Sequence, residues 1–184
     1  MRKVFLFINV SLDGYFEGPN HDISWSHTDF EPFSVGGSAE VDTILLGHRT
    51  YELMEGFWPT PDADQLAPDV AKFMNEKRKV VASHKSFEPG WKNVTVITGD
   101  VAAEVQKLKE QPGDNIIILG SNNLCVSLME QGLVDEFQVV VNPVALGEGT
   151  PLFKGLSKRA DLKLKGTHQF KSGAILLAFE PAEK

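Results

Sequence analysis

Ile116 to Leu119 is an apolar run with no polar interruption, and Gly120-Ser121-Asn122-Asn123 follows it at once. This pairing restricts the fold more than any other feature of the chain. A short β-branched run without alternation suits a strand buried on both faces, as in a parallel sheet covered by helices. Gly120 and Ser121 let a backbone or a ligand come close, and Asn122 or Asn123 can cap the helix that follows. Leu124, Cys125, Leu128 and Met129 give that helix an apolar face, and Gly132 stands where a left-handed cap residue belongs. Phe137 to Val141 then reads as the next strand, and Pro143 to Phe153 as a glycine-bearing loop. Small residues between a strand and a helix N-terminus form a natural anion site, because free N–H groups and the helix dipole both favour phosphate there.

The remainder repeats the alternation. Strands are expected at Lys3–Val10, Thr43–Leu46, Lys79–Ala82 and Val94–Ile97, and short helices at Glu31–Ala39, His48–Met54 and Asp69–Glu76. Val101–Glu110 reads as an amphipathic helix with Val101, Val105 and Leu108 inward, stopped by Pro112-Gly113. Thr60–Pro68, rich in proline and aspartate, reads as surface loop. Asp161–His168 and Ala174–Phe179 read as a terminal antiparallel hairpin. The pattern gives one α/β domain over residues 1–184: a three-layer fold with a mostly parallel mixed sheet, helices on both faces and a C-terminal antiparallel hairpin.

Composition narrows the function. A net charge of −7 repels nucleic acid and acidic membranes, so any phosphate must be held by a local cluster of N–H, hydroxyl and basic groups. The single cysteine excludes an internal disulfide and offers no metal framework. No run approaches the ~20 apolar residues that span a bilayer. The apolar run Val4 to Val10 lacks a small-residue cleavage site, which makes a cytoplasmic protein the plain expectation. His21, Asp22 and His27 follow no metal-ligand spacing, so no metal is expected.

Open parallel sheets bind ligands outside the carboxyl ends of their strands. Those ends are Asn9–Gly14, Gly47–Thr50, Ser83–Lys85, Thr98–Asp100 and Gly120–Asn123, and all are small, hydroxylic or basic. Together they favour a phosphate-bearing ligand.

Read in order, several motifs form a set: Ser11-Leu12-Asp13-Gly14-Tyr15, then Gly47-His48-Arg49-Thr50-Tyr51-Glu52, then Gly120-Ser121. Gly132-Leu133-Val134-Asp135-Glu136 and Pro143 to Gly149 with Pro151-Leu152-Phe153 complete it. Across nearly the whole chain this set resembles the dihydrofolate reductase-like fold, specifically the C-terminal reductase domain of bifunctional riboflavin-biosynthesis enzymes. The resemblance implies NADPH as cofactor, reduction of a small heterocycle or of a sugar attached to one, and a homodimer. A homodimer is also suggested by the apolar run Phe137–Val141, taken to lie near the sheet edge. Two positions depart from the family: Phe7 stands where a lysine is usual, and Leu119 where a glutamate is usual. Both departures remove charge from the substrate side.

The resemblance places the cofactor on Asn9, Val10, Gly47, Arg49, Thr50, Ser83, Lys85, Leu119, Gly120, Ser121, Asn122, Asn123 and Leu124. Arg49 would pair with phosphate bidentately while Thr50 caps its helix, the alternative being an ordinary turn with a solvated arginine. Ser83 and Lys85 would suit a 2′-phosphate, or else form a polar loop. Asp13 is the candidate catalytic residue, relaying a proton after hydride transfer, or merely makes the turn with Gly14. Ser11, Phe16, Trp25, Phe57 and Trp58 are the substrate candidates, the aromatics as a pocket over a flat ring or as plain core. Besides a reductase of this kind, a dihydrofolate reductase and a nucleotide-binding protein without catalysis remain open.

Overall fold

The computed structural model describes residues 1–26 and 40–182, so the helix expected at Glu31–Ala39 and the residue His27 lie outside the described residues. The longest apolar runs form the middle of the sheet: β1 (Val4–Ser11), β3 (Val41–Gly47) and β6 (Asn115–Leu119). Successive side chains of a strand point to opposite faces, and β1 shows the result. Val4, Leu6, Ile8 and Val10 enter one core, while Phe5 and Phe7 pack against a second. Among the described residues the main sheet runs β5 (Val94–Ile97), β4 (Arg78–Ala82), β3, β6, β1, β7 (Glu136–Asn142), β10 (Ile175–Pro181), β9 (Leu162–Gln169). From β5 to β7 all neighbours are parallel, and β10 is antiparallel to both β7 and β9.

Helices cover both faces. α1 (His48–Glu55), α2 (Pro61–Leu66) and α3 (Pro68–Glu76) follow β3, and Tyr51, Val70 and Met74 join Phe5 and Leu46 in one core. α4 (Val101–Glu110) and α5 (Asn122–Glu130) bring Val105, Leu108, Cys125 and Leu128 to the other core, with Leu6 and Val10. The expected three-layer α/β architecture with its C-terminal hairpin is present. α5 ends as its sequence demands: Gly132 has φ +70°, its N–H donates to Met129 O, and Leu133 N–H donates to Leu128 O, each at 3.0 Å. Burial pushes the Cys125 thiol up to about 12, which leaves it inert.

Two expectations fail, and one element is new. Thr60–Pro68 is not surface loop: α2 and the start of α3 occupy it. Pro61 and Pro68 each open a helix, where the missing N–H costs nothing and φ is preset, so the prolines mark starts rather than a break. Phe137–Val141 does not border the sheet; β7 is paired with β1 on one side and β10 on the other, which removes its edge as a dimer contact. A small ribbon of β2 (Tyr15–Glu17) with β8 (Thr150–Pro151) was not expected in the first loop.

The amino ends of the parallel strands are tied by buried cations. Arg2, 5% exposed, pairs with Asp42, donates to Thr43 Oγ1 at 2.7 Å and also bonds the Asp114 carbonyl. Lys109 meets Asp135 at 2.6 Å, and Asp135 in turn accepts Val4 N–H at 2.7 Å. Lys79 is fully buried and donates to Met74 O and Lys77 O, each at 2.8 Å, at the end of α3, beneath the Trp91 ring. Its partners are carbonyls and an indole face, and burial pulls its ammonium down to about 8.

Candidate cofactor and substrate site

After β3 the chain turns to the helices on the Phe5 face, and after the adjacent β6 it turns to α5 on the Leu6 face. Parting to opposite faces opens a crevice at the carboxyl ends of this strand pair. Gly47 and Gly120-Ser121 form its walls. The Ser121 hydroxyl accepts Gly47 N–H at 2.9 Å and lies 2.9 Å from Thr50 Oγ1 and 3.1 Å from Leu119 O, within donating reach of both. Gly120 has φ +57°, and a Cβ there would stand 3.2 Å from Thr50 Cγ2, so only glycine leaves this mouth unstrained.

The expected helix caps are absent from both sides of the crevice. Gly47 is the N-cap of α1 and Ser121 that of α5, and neither makes a side-chain cap. Thr50 therefore does not cap α1; its hydroxyl is engaged by Ser121 instead. Asn122 and Asn123 do not cap α5 either, because the left-handed backbone of Ser121 (φ +54°) places them inside the first turn. Asn122 is 6% exposed, and its Nδ2 has no hydrogen-bond partner among the described residues. Two uncapped helix N-termini thus meet at one crevice, and the buried Asn122 belongs to the first turn of one of them. Free donors and helix dipoles of this kind favour an anion.

Arg49, in the first turn of α1, is half exposed and pairs with Glu17 Oε2 at 3.1 Å. A single Nη2 makes that contact, which leaves the other guanidinium donors for a second acceptor. Glu17, in β2, is a residue that the sequence reading missed. It is 6% exposed, accepts from Thr150 Oγ1 at 2.9 Å and lies 2.9 Å from His21 Nδ1. Burial works against its charge, but the bonds from His21 and Thr150 and the charges of Arg49 and His21 outweigh it and hold its carboxyl below the usual range. His48 was also missed as a site residue. Its ring stacks on Phe87 at 4.4 Å, and its Nδ1 is 3.1 Å from Ser83 Oγ, which joins the tips of β3 and β4. Ser83 is buried and its hydroxyl is committed to the Lys85 backbone, whereas the Lys85 residue is exposed.

In the first loop Asp13 accepts Leu146 N–H at 3.1 Å and Gly147 N–H at 2.7 Å. Hydrogen bonding from Ser11 and then from the Gly147 and Leu146 backbone lowers its carboxyl to about 2. Ser11 is buried, and its Oγ accepts Tyr15 N–H at 3.0 Å. Beside this loop lies an open groove of about 320 Å³ lined by Val10, Gly14 and Pro151 to Lys154. On the opposite face Phe7, in the middle of β1, is the register neighbour of Leu119, the last residue of β6.

The four aromatic substrate candidates do not form one pocket. Phe16 packs against the Leu6 core and Trp58 against the Phe5 core, on opposite faces of the sheet. Phe57 meets Trp58 edge-on at 5.2 Å, and Trp25 Nε1 donates to Asp22 O at 2.9 Å. Spacing along the chain gave no sign of which face each would join. Among the described residues no three His, Cys, Asp or Glu side chains gather as a metal site, and no helix is long and apolar enough to cross a membrane.

The profile of the RibD C-terminal domain matches residues 2–176. The chain is 32% identical to YyaP of Bacillus subtilis over 178 residues, covering 97% of this chain and 94% of that protein. It is 34% identical to YwjB of the same organism over 174 residues, 92% of each. In fold it is similar to a pyrimidine reductase-like protein from Corynebacterium diphtheriae (TM-score 0.74, 12% identity, 100% of this chain and 93% of that one). A deaminase/reductase from Thermotoga maritima named for 5-amino-6-(5-phosphoribosylamino)uracil superposes with TM-score 0.69 at 19% identity, over 98% of this chain and 57% of that one. Dihydrofolate reductase from Enterococcus faecalis, complexed with NADP(H), gives TM-score 0.68 at 13% identity over 98% and 97%, so the fold is dihydrofolate reductase-like.

Proposed function

The chain belongs to the RibD C-terminal domain family, and on that premise we propose that it is an NADPH-dependent reductase acting on a small pyrimidine- or pteridine-like heterocycle or a carbonyl compound. The observation that carries this reading is the crevice between β3 and β6, where two uncapped helix N-termini meet and the buried Asn122 belongs to the first turn of one of them. Those donors fit a doubly phosphorylated nucleotide. The first turns of α1 (with Arg49 and Thr50) and α5 (Asn122, Asn123, Leu124) would take the phosphates. Gly47, Gly120 and Ser121 would let them approach, and exposed Lys85 would serve a 2′-phosphate.

When bound, the nicotinamide supplies the hydride; the protein supplies binding, orientation and exclusion of water. Arg49 would hold phosphate with the donors that Glu17 leaves unused. Asn9, on the face of Phe7 and Leu119, would border the ring, with Val10 on the other face of β1. Asp13, lowered to about 2, carries no proton to give at neutral pH, and its proposed part is to hold the first loop against Leu146 and Gly147. The proton that follows the hydride then comes from water.

Fluorescence titration with NADPH, followed by oxidation assays against pteridines, pyrimidines and carbonyl compounds, tests the reading. Tight binding with turnover of one class supports it. Tight binding with turnover of none favours a nucleotide-binding protein, the alternative for which apolar Phe7 and Leu119 speak. No binding removes both. Lys85→Ala should weaken NADPH far more than NADH, and equal losses would withdraw the 2′-phosphate role.

A further inference from the structure

Asn142 is fully buried at the end of β7, and its Nδ2 lies 3.2 Å from both Val10 O and Val140 O and 3.1 Å from Asn9 Oδ1. Backbone carbonyls only accept, so the Asn142 amide must present its nitrogen to Val10 and Val140. The same nitrogen faces Asn9, which must therefore offer its oxygen. Asn142 Nδ2 has two protons for three acceptors, and meeting it with Oδ1 avoids setting N–H against N–H, which turns Asn9 Nδ2 outward to donate elsewhere. Asn9 is only partly buried, and its Nδ2 has no partner among the described residues. By strand alternation it shares the face of Phe7, whose register neighbour on β6 is Leu119, the last residue before the Gly120-Ser121 wall of the crevice.

Resting on the reductase reading, we propose that Asn9 is a specificity-determining donor that takes a carbonyl oxygen borne on an uncharged planar ring, with Asn142 as its positioning residue. A neutral amide NH2 beside apolar Phe7 and Leu119 matches a neutral ring with an acceptor at its edge. A phosphate placed there would lose its hydration to one neutral donor. Two rings present this chemistry in such a reaction: the nicotinamide, through its carboxamide, and the substrate, through a ring carbonyl.

Asn9→Asp and Asn9→Leu separate these sources. Asn9→Asp keeps the oxygen that Asn142 needs and replaces the outward donor with an acceptor; its thermal midpoint serves as the folding control. Dissociation constants are measured for NADPH and for 2′,5′-ADP, which lacks the nicotinamide, and KM and kcat for whichever carbonyl compound is turned over. Roughly tenfold weaker NADPH with 2′,5′-ADP unchanged assigns the donor to the carboxamide, and a roughly tenfold higher KM with NADPH unchanged assigns it to the substrate. No change in any of these overturns the proposal.

If the unmodified protein binds neither nucleotide, the reductase reading fails by itself. The Asn9 donor is then judged by NMR, from its side-chain amide signals (identified by their loss in Asn9→Asp) with nicotinamide and uracil as probes. Movement of those signals keeps the donor assignment, and unmoved signals end it.

Discussion

At the amino ends of the parallel strands the buried cations are engaged: Arg2 by Asp42, Thr43 and a carbonyl, Lys109 by Asp135, and Lys79 by carbonyls. At the carboxyl ends of the same strands α1 and α5 begin without side-chain caps, and Asn122 Nδ2 is buried with no partner among the described residues. The two ends differ in how their polar groups are completed. Completed groups hold the strands together and have nothing left to offer a ligand. Incomplete ones cost stability in the free protein, because a buried donor gives up water and receives nothing in return. That cost is recovered when a ligand supplies the acceptor. The contrast therefore separates a structural end from a binding end, and it makes opposite demands on mutation.

The largest effect belongs to the structural end. Arg2→Ala strips a buried pair and should lower the unfolding free energy by about 3 kcal/mol in urea titration. NADPH affinity of the folded protein should stay within about twofold, since Arg2 lies a full strand length from the crevice. A comparable loss of affinity would erase the distinction between the ends. Arg49→Ala should do the reverse. Glu17 is buried but keeps Thr150 and His21, and the Arg49 end of the pair is half exposed, so the loss of stability should stay at about 1 kcal/mol. NADPH should bind roughly 10- to 100-fold more weakly, the loss expected on removing a charge-assisted phosphate contact.

The fold was legible wherever a run of side chains repeats with the period of its element. α4 keeps the limits read from sequence, Val101–Glu110, and β6 adds only Asn115 to the Ile116–Leu119 run, because a 3.6-residue stripe and unbroken apolar residues leave little choice. α2 was hidden because proline and aspartate serve a loop and a helix start equally well. β2 and β8 were hidden because the ribbon they form is too short to carry a period. The location of β7 in the sheet depends on β10, which arrives later in the chain. The candidate site was legible in residue types, among them Gly47, Arg49, Gly120, Ser121 and Asn122, but not in how they are joined. Its contacts join positions far apart, Glu17 to Arg49 across 32 residues and Asn9 to Asn142 across 133, and no local pattern announces such pairs. The absence of caps was misread for a related reason. Thr50 and Asn122 are good capping residues, yet the left-handed turn at Ser121 and the bond from Ser121 to Thr50 decide otherwise.

Asn122→Leu sharpens the comparison at a single side chain. It removes a buried amide whose nitrogen has no partner among the described residues, so the folded protein should be unchanged or as much as about 1 kcal/mol more stable in urea. The NADPH dissociation constant should rise roughly tenfold, the equivalent of one hydrogen bond. If stability fell by as much as for Arg2→Ala, Asn122 would belong with the completed groups and the crevice would lose its clearest mark.

The smallest effect concerns Asp13, which lies at the binding end yet is fully satisfied by Leu146 and Gly147. Its carboxyl titrates at about 2 in the folded chain, against 3.8 for an ordinary aspartate. A lowered folded-state value means that the ionised form stabilises the fold. The contribution is complete above pH 4 and disappears as the pH falls from 4 through 2. Thermal midpoints of the unmodified protein and Asp13→Asn should therefore differ at pH 5 and converge at pH 2, with the unmodified protein the more stable at pH 5. NADPH affinity at neutral pH should change little, because the carboxylate is engaged by the loop rather than by the crevice. A difference in midpoint that stays constant from pH 5 to pH 2 would show that the charge of Asp13 does not hold the loop. A collapse of NADPH binding would move Asp13 from the completed groups to the incomplete ones.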